Sequence, residues 1–194
     1  MAKAVGLHQQ VNSTSDRDTS EAERINLFWT LFTIDKQLAL MCGQSCHLHG
    51  FDCDVPLPSA AATNDMPLCD NWIAAIKLAF INESIYRNLY SAVSSRASDA
   101  QQQRKVESLN QKLNSWATRH QQLLNEKLDW TPQRSSSALE LRYAMLTSQI
   151  LVLRRSKHKE SRVQLLSNAR TGLKIIKDLC EASITIASNV ALER

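Results

Sequence analysis

Apolar residues recur at three- and four-residue spacing along most of this chain, which is the pattern of amphipathic helices. Only four glycines and four prolines interrupt 194 residues, so long helices are favoured over many short strands. We therefore predict an all-α fold, an irregular bundle of about five long helices in a single domain over residues 1–194. Helix starts are predicted at Ser20–Glu23, Asp70 or Asn71, Ser98–Gln101, Ser137–Glu140 and Ser161–Gln164, the serine pairs being capping boxes.

The first predicted helix is the most apolar one and runs to about Cys42. Its apolar residues cover most of its circumference, which is typical of a helix buried on all sides. Gly43 follows and is suited to the left-handed conformation that ends a helix. The apolar residues are Ile25, Phe28, Trp29, Phe32, Leu38 and Met41.

Two later stripes are also predicted to face the core. The stripe over residues 106–124 favours packing inside the same domain over a dimeric coiled coil, because it spans fewer than three heptads. The last helix, to about residue 191, is predicted to bury Leu166, Ala169, Leu173, Ile176, Cys180, Ile184 and Ala187.

Residues 44–69 separate the first two helices and contain three of the four prolines. Pro56 and Pro58 restrict the residues before them to extended geometry. Apolar residues punctuate the segment, so we predict an ordered loop rather than a linker.

The segment from Arg24 to Pro58 resembles the fungal transcription-factor regulatory domain, also called the middle homology region or xylanolytic-activator regulatory domain. That family combines a basic residue, Phe-Trp, an Asp followed by Lys or Arg, a Gly, and an acidic segment ending in a Val-Pro-x-Pro-like run. The matching residues here are Arg24, Phe28, Trp29, Asp35, Gly43, Asp52, Asp54, Pro56 and Pro58. One departure is Gly43-Gln44-Ser45, where the family usually has Gly-Arg-Pro.

The resemblance implies a regulatory domain of a zinc-cluster transcription factor, located in the nucleus, that modulates transcription by RNA polymerase II. It implies a small-molecule effector or a regulatory protein as partner, and DNA contact only through a zinc cluster that this chain lacks. Residues 1–8 resemble the end of a helix, so the domain is expected to be incomplete at its N-terminus. An uncovered apolar face would then favour self-association.

Two other function classes stay open. The first is a helical interaction or dimerisation module without an effector, and the second is an enzyme of unrecognised type. An enzyme is disfavoured, because the sequence has no Gly-x-Ser-x-Gly, no His-Glu-x-x-His and no glycine-rich phosphate loop. The net charge of +4 is too small to indicate nucleic-acid binding, and no apolar run is long enough for a membrane span.

The cysteines are the remaining candidate chemistry. Their odd number, five, without a secretion signal favours free thiols in a reducing, intracellular compartment. Cys42, Cys46, His47, His49 and Cys53 lie close together, but no Cys-x2-Cys knuckle occurs. We therefore expect no metal and no cofactor in this chain.

Overall fold

A computed structural model describes residues 6–9, 18–58, 66–125 and 132–192. Within these ranges the chain forms α-helices and no β-strand, so the all-α prediction is confirmed. Five of these helices are long, as the sequence predicts, and a sixth is short. They are α1 (Asp18–Cys42), α2 (Met66–Ile85), α3 (Asp99–Arg119), α4 (Gln121–Asn125), α5 (Pro132–Leu153) and α6 (Lys159–Leu192).

The fold divides into two compact units. The N-terminal unit, Met1–Arg96, contains α1, α2, a π-helical turn Tyr86–Tyr90 and a short 3-10 helix Ser94–Arg96. The C-terminal unit, Ala97–Arg194, contains α3 to α6. Folding of residues 1–194 as a single domain stays a prediction.

The start of one helix was predicted correctly. Ser98 caps α3, since its side chain accepts from the Gln101 amide while the Gln101 side chain accepts from the Ser98 amide. The other proposed starts are wrong, because each of those residues already lies inside a helix that begins earlier. These helices begin at Asp18, Met66, Pro132 and Lys159, and Met66 also shortens the predicted loop.

The core of the N-terminal unit forms where α1, α2 and the following loop meet. Phe28, Trp29 and Phe32 of α1 pack against Ile76 and Ala79 of α2, and Leu48 and Val55 of the loop close the cluster. Gly43 follows the last residue of α1 and has a φ of +67°, the left-handed geometry expected of a residue that ends a helix.

The C-terminal unit is built around α5, which packs against α3, α4 and α6. Helix α3 buries Val106, Leu109, Leu113 and Trp116, so its stripe is used inside this unit, as predicted. The predicted face of α6 is wrong over the side chains that the structure describes, which do not include those of Ile184 and Ala187. Leu166, Leu173, Ile176 and Cys180 are exposed, whereas Gly172 and Ile175 are buried.

Residues 6–9 form a turn, and Gly6 has a φ of +69°. The expected helix end at residues 1–8 is therefore not helical over residues 6–8. Its earlier part lies outside the described residues.

Candidate functional site

Trp29 connects α1 to the loop that contains Pro56 and Pro58, which we call the proline loop. Its ring lies 5.0 Å from the Phe28 ring and 5.2 Å from the Phe32 ring, centroid to centroid. Its indole Nε1 donates to the Pro56 carbonyl over 2.8 Å. Pro58 is buried two residues further on. The aromatic and proline parts of the family motif therefore meet in one packed contact.

Arg24 holds the turn at residues 6–9. Its guanidinium donates to the carbonyl oxygens of Gly6, over 3.3 Å, and of Gln9. Glu21, one turn earlier on α1, lies 3.4 Å from the same guanidinium. The partners of the Arg24 guanidinium are therefore backbone carbonyls that precede the helix, together with Glu21 on the helix itself.

Asp35 does bind the loop. Its carboxylate accepts from the backbone amides of His47 and Leu48 over 3.0 Å each, and Lys36 lies 3.3 Å away. Burial alone raises the pKa of Asp35, but the two amides and the Lys36 charge outweigh it and hold the pKa below its usual value. The charged form of Asp35 is thus matched to the backbone that follows α1.

Asp52 and Asp54 lie on the exposed side of the same loop. Asp52 ends a 3-10 turn in which its amide donates to the His49 carbonyl over 3.0 Å. The Asp54 amide donates to the His8 carbonyl over 3.2 Å, so the loop is also joined to the 6–9 turn. The backbone amides of both residues therefore hold the loop in shape.

Beside Asp35 lies a buried cluster of ionisable groups. Lys36 is 1% exposed, with its ammonium 4.1 Å from the centre of the Phe32 ring and 3.9 Å from Glu83 Oε2. Glu83 Oε1 lies 3.1 Å from Nδ1 of His49, and the same nitrogen lies 3.4 Å from Cys46 Sγ. Burial raises the pKa of the Cys46 thiol, although the nearby Lys36 charge opposes it.

Gly50 allows the loop to approach α2 closely at this cluster. A Cβ atom at Gly50 would lie 2.5 Å from the Phe80 ring, so no larger residue fits without displacement. The Gly50 amide donates to Glu83 Oε2 over 3.2 Å. The close approach therefore presents His49 and Cys46 to Glu83.

A second feature of α1 is an apolar face turned to solvent. Leu27, Leu31, Ile34, Leu38 and Met41 are each between 36% and 55% exposed. They follow one another at spacings of four, three, four and three residues, so they form one continuous row along the helix. We call this row the α1 seam. The prediction that α1 is buried on all sides is wrong along it.

The C-terminal unit has an open groove of about 440 Å³ between α3, α4, α5 and α6. Met145 and Leu146 supply apolar surface, and Arg142 supplies a cation. Gln149, at its base, donates to Asn114 over 3.3 Å and accepts from Asn168 over 3.1 Å. This volume is within the range of small-molecule sites.

Sequence reasoning missed Lys36, Glu83 and the α1 seam. A lysine on the most apolar helix, one residue after Asp35, was an available signal, because a lysine in a core needs a carboxylate partner. Glu83 gave no such signal, since it is brought to His49 from 34 residues away. None of the described helices has the length and apolar content to cross a membrane.

These features define a helical module whose aromatic core carries the motif residues, and its sequence contains no recognised catalytic motif. The comparisons agree: residues 1–118 match the fungal specific transcription factor domain, and the chain belongs to that family. The match covers the N-terminal unit and most of α3.

Curated relatives support the same conclusion. The chain is 34% identical over its whole length to the transcription factor oryO of Aspergillus oryzae, covering 24% of that protein. It is 25% identical over 125 residues to an ABC-transporter-regulating transcription factor of Aspergillus fumigatus, with 60% of the chain and 14% of the relative covered. An uncharacterised transcriptional regulatory protein of Schizosaccharomyces pombe is 22% identical over 197 residues, covering 92% of the chain and 31% of the relative.

The chain thus spans less than a third of the length of each of these relatives. No solved structure matches it.

Proposed function

We propose that this chain modulates transcription by RNA polymerase II in the nucleus as a non-catalytic regulatory module, and that it does so by self-association along the α1 seam. The observation that carries the proposal is the uninterrupted apolar row from Leu27 to Met41 on an exposed helix face. A surface of this kind on a globular protein marks an interaction site.

A second copy of the same helix is the occupant that fits the seam. The four-three repeat is the spacing at which two helices interlock side chains. Thr30 and Gln37 flank the row and carry no charge, so two copies meet without like-charge repulsion. Asp35, the nearest carboxylate on the helix, already accepts the loop amides.

The expected dimer is weak. Each half-exposed seam side chain contributes about 1 kcal/mol on burial, or about 10 kcal/mol for the ten side chains of a pair. Association itself costs roughly 4–15 kcal/mol. A net gain of about 5 kcal/mol corresponds to a dissociation constant of about 0.1–1 mM. Well below this concentration the dimer needs other contacts or a raised local concentration, so its formation can be regulated.

The groove of the C-terminal unit supports a second candidate function, effector binding. Apolar Met145 and Leu146 beside the Arg142 guanidinium suit an amphipathic carboxylate. An effector that binds one packing of the helices better than another would shift their populations.

Methionine methyl groups provide one experiment for both functions. The chain has four methionines; Met41 lies on the α1 seam and Met145 lines the groove. With 13C-labelled methyl groups, dilution from about 1 mM should shift the Met41 resonance, and decanoate should shift that of Met145. A Met41 chemical shift that does not change on dilution would contradict self-association. A Met145 chemical shift that does not change on addition of decanoate would contradict the carboxylate site.

A further inference from the structure

Three potential metal ligands converge in the N-terminal unit. Cys46 Sγ, His49 Nδ1 and a Glu83 carboxylate oxygen all lie within 4.8 Å of one another. Cys46 and His49 come from the same loop, three positions apart, and Glu83 comes from α2. We propose that these three side chains form a binding site for a divalent metal ion of the zinc type.

The distances suit a tetrahedral ion. With Zn–S near 2.3 Å and Zn–N or Zn–O near 2.0–2.2 Å, neighbouring ligand atoms are about 3.3–3.6 Å apart. Here the Cys46 Sγ to His49 Nδ1 distance is 3.4 Å, and the His49 Nδ1 to Glu83 Oε1 distance is 3.1 Å. Thiolate, imidazole and carboxylate together match the ligand preference of Zn²⁺.

Hydrogen bonds among these three side chains alone do not account well for their arrangement. His49 Nδ1 faces both the Cys46 sulfur and the Glu83 carboxylate. A single ring nitrogen that donates its proton to the carboxylate has no lone pair left for the thiol proton. One ion between the three atoms would satisfy them together.

The surroundings hold the ligands in place. Glu83 Oε2 accepts from the Gly50 amide over 3.2 Å, which leaves Oε1 directed at His49. The His49 ring stacks on Phe51, with the ring centres 5.1 Å apart. Such outer contacts orient metal ligands and contribute to metal affinity.

Charge also balances with an ion present. Two carboxylates, Asp35 and Glu83, face one buried cation, Lys36, at 3.3 and 3.9 Å. A divalent ion that displaces the Cys46 proton adds two positive charges and one thiolate. The five charged groups then sum to zero, and Lys36 stays paired with Asp35.

From the sequence we expected no metal, because the chain contains no Cys-x2-Cys knuckle. The present site instead uses a Cys-x2-His pair completed by Glu83, 34 residues after His49. Spacing along the chain could not show that third ligand.

Cobalt titration of the whole chain tests the proposal. One equivalent of Co²⁺ should produce a thiolate-to-metal absorption band. Cys46→Ser should abolish this band and lower the affinity for Co²⁺ at least about tenfold, the size of loss seen when metal sites are disturbed. Cys42→Ser removes a thiol four residues earlier and should leave the band unchanged. His49→Ala should weaken binding similarly, and His47→Ala, at the neighbouring exposed histidine, should not.

A second measurement uses the unaltered protein. Zn²⁺ should slow alkylation of Cys46 at least tenfold, the same order of effect, without changing that of Cys42, as read by mass spectrometry. The proposal is overturned if one equivalent of Co²⁺ gives no thiolate band, if the band survives Cys46→Ser, or if Zn²⁺ protects Cys42 as well as Cys46.

Discussion

The indole nitrogen of Trp29 donates a hydrogen bond to the Pro56 carbonyl over 2.8 Å. The side chain that is central to the aromatic core therefore also fixes the proline loop, 27 residues away in sequence. Trp29 is 3% exposed, as expected from its place in the most apolar helix.

Trp29→Ala should lower the free energy of unfolding by about 3–5 kcal/mol, because it removes a large buried side chain. Trp29→Phe keeps most of the apolar volume and loses the indole donor, so its cost should be about 1–2 kcal/mol. Urea titration followed by circular dichroism measures both. A loss under about 1 kcal/mol for Trp29→Ala would show that this contact is not central.

Lys36→Met should destabilise the chain by about 3–5 kcal/mol, since it leaves Asp35 and Glu83 without their buried cation. Adding Glu83→Gln should recover part of this loss, because one unpaired carboxylate is removed. A double-mutant cycle by denaturant titration measures the coupling. Strict additivity of the two changes would mean that Lys36 and Glu83 do not interact.

The low pKa of Asp35 makes the stability dependent on acid. A carboxyl group whose pKa is lower in the folded state stabilises the fold above its unfolded pKa, and this contribution is lost as pH falls through the folded pKa. The free energy of unfolding should therefore decrease as the pH is lowered past about 4, which is near the usual pKa of aspartate. Asp35→Asn should flatten this part of the profile.

Asp99→Asn is the matched control, since Asp99 lies on the surface in a pair with Lys157. Equal flattening by both substitutions would contradict the role given to Asp35.

Two adjacent isoleucines test which face of α6 is buried. Ile175 is 3% exposed and Ile176 is 39% exposed. Ile175→Ala should cost about 2–4 kcal/mol, whereas Ile176→Ala should cost less than about 1 kcal/mol. Thermal unfolding of the two variants compares them directly. The reverse order would restore the face predicted from the sequence.

The physical reason for that error is general. Heptad spacing shows which side chains of a helix share a face, but it cannot show whether the partner belongs to the same unit. In α3 the stripe at Leu109, Leu113 and Trp116 is buried within its own unit. In α6 the Leu173–Ile176 stripe is exposed, and Gly172 and Ile175 lie on the packed side.

The candidate site likewise contains features that local sequence patterns predict and features that they do not. The burial of Trp29 and the helix stop at Gly43 follow from local patterns of apolar residues and glycine. The ion cluster does not, because Lys36, His49 and Glu83 meet only after α2 packs on α1 and the loop. The predicted helix starts are wrong wherever a serine with a glutamate or glutamine three residues later lies inside a longer helix.

The central claim is that the α1 seam is an interface between two copies, and sedimentation velocity tests it most directly. Over about 0.05–1 mM the unaltered chain should shift from monomer toward dimer. Leu38→Glu places a charge in the middle of the seam and should leave a monomer throughout. Val93→Glu, at an apolar residue that is 78% exposed and off the seam, should dimerise like the unaltered chain. A monomer at every concentration, or a dimer that survives Leu38→Glu, would contradict the account.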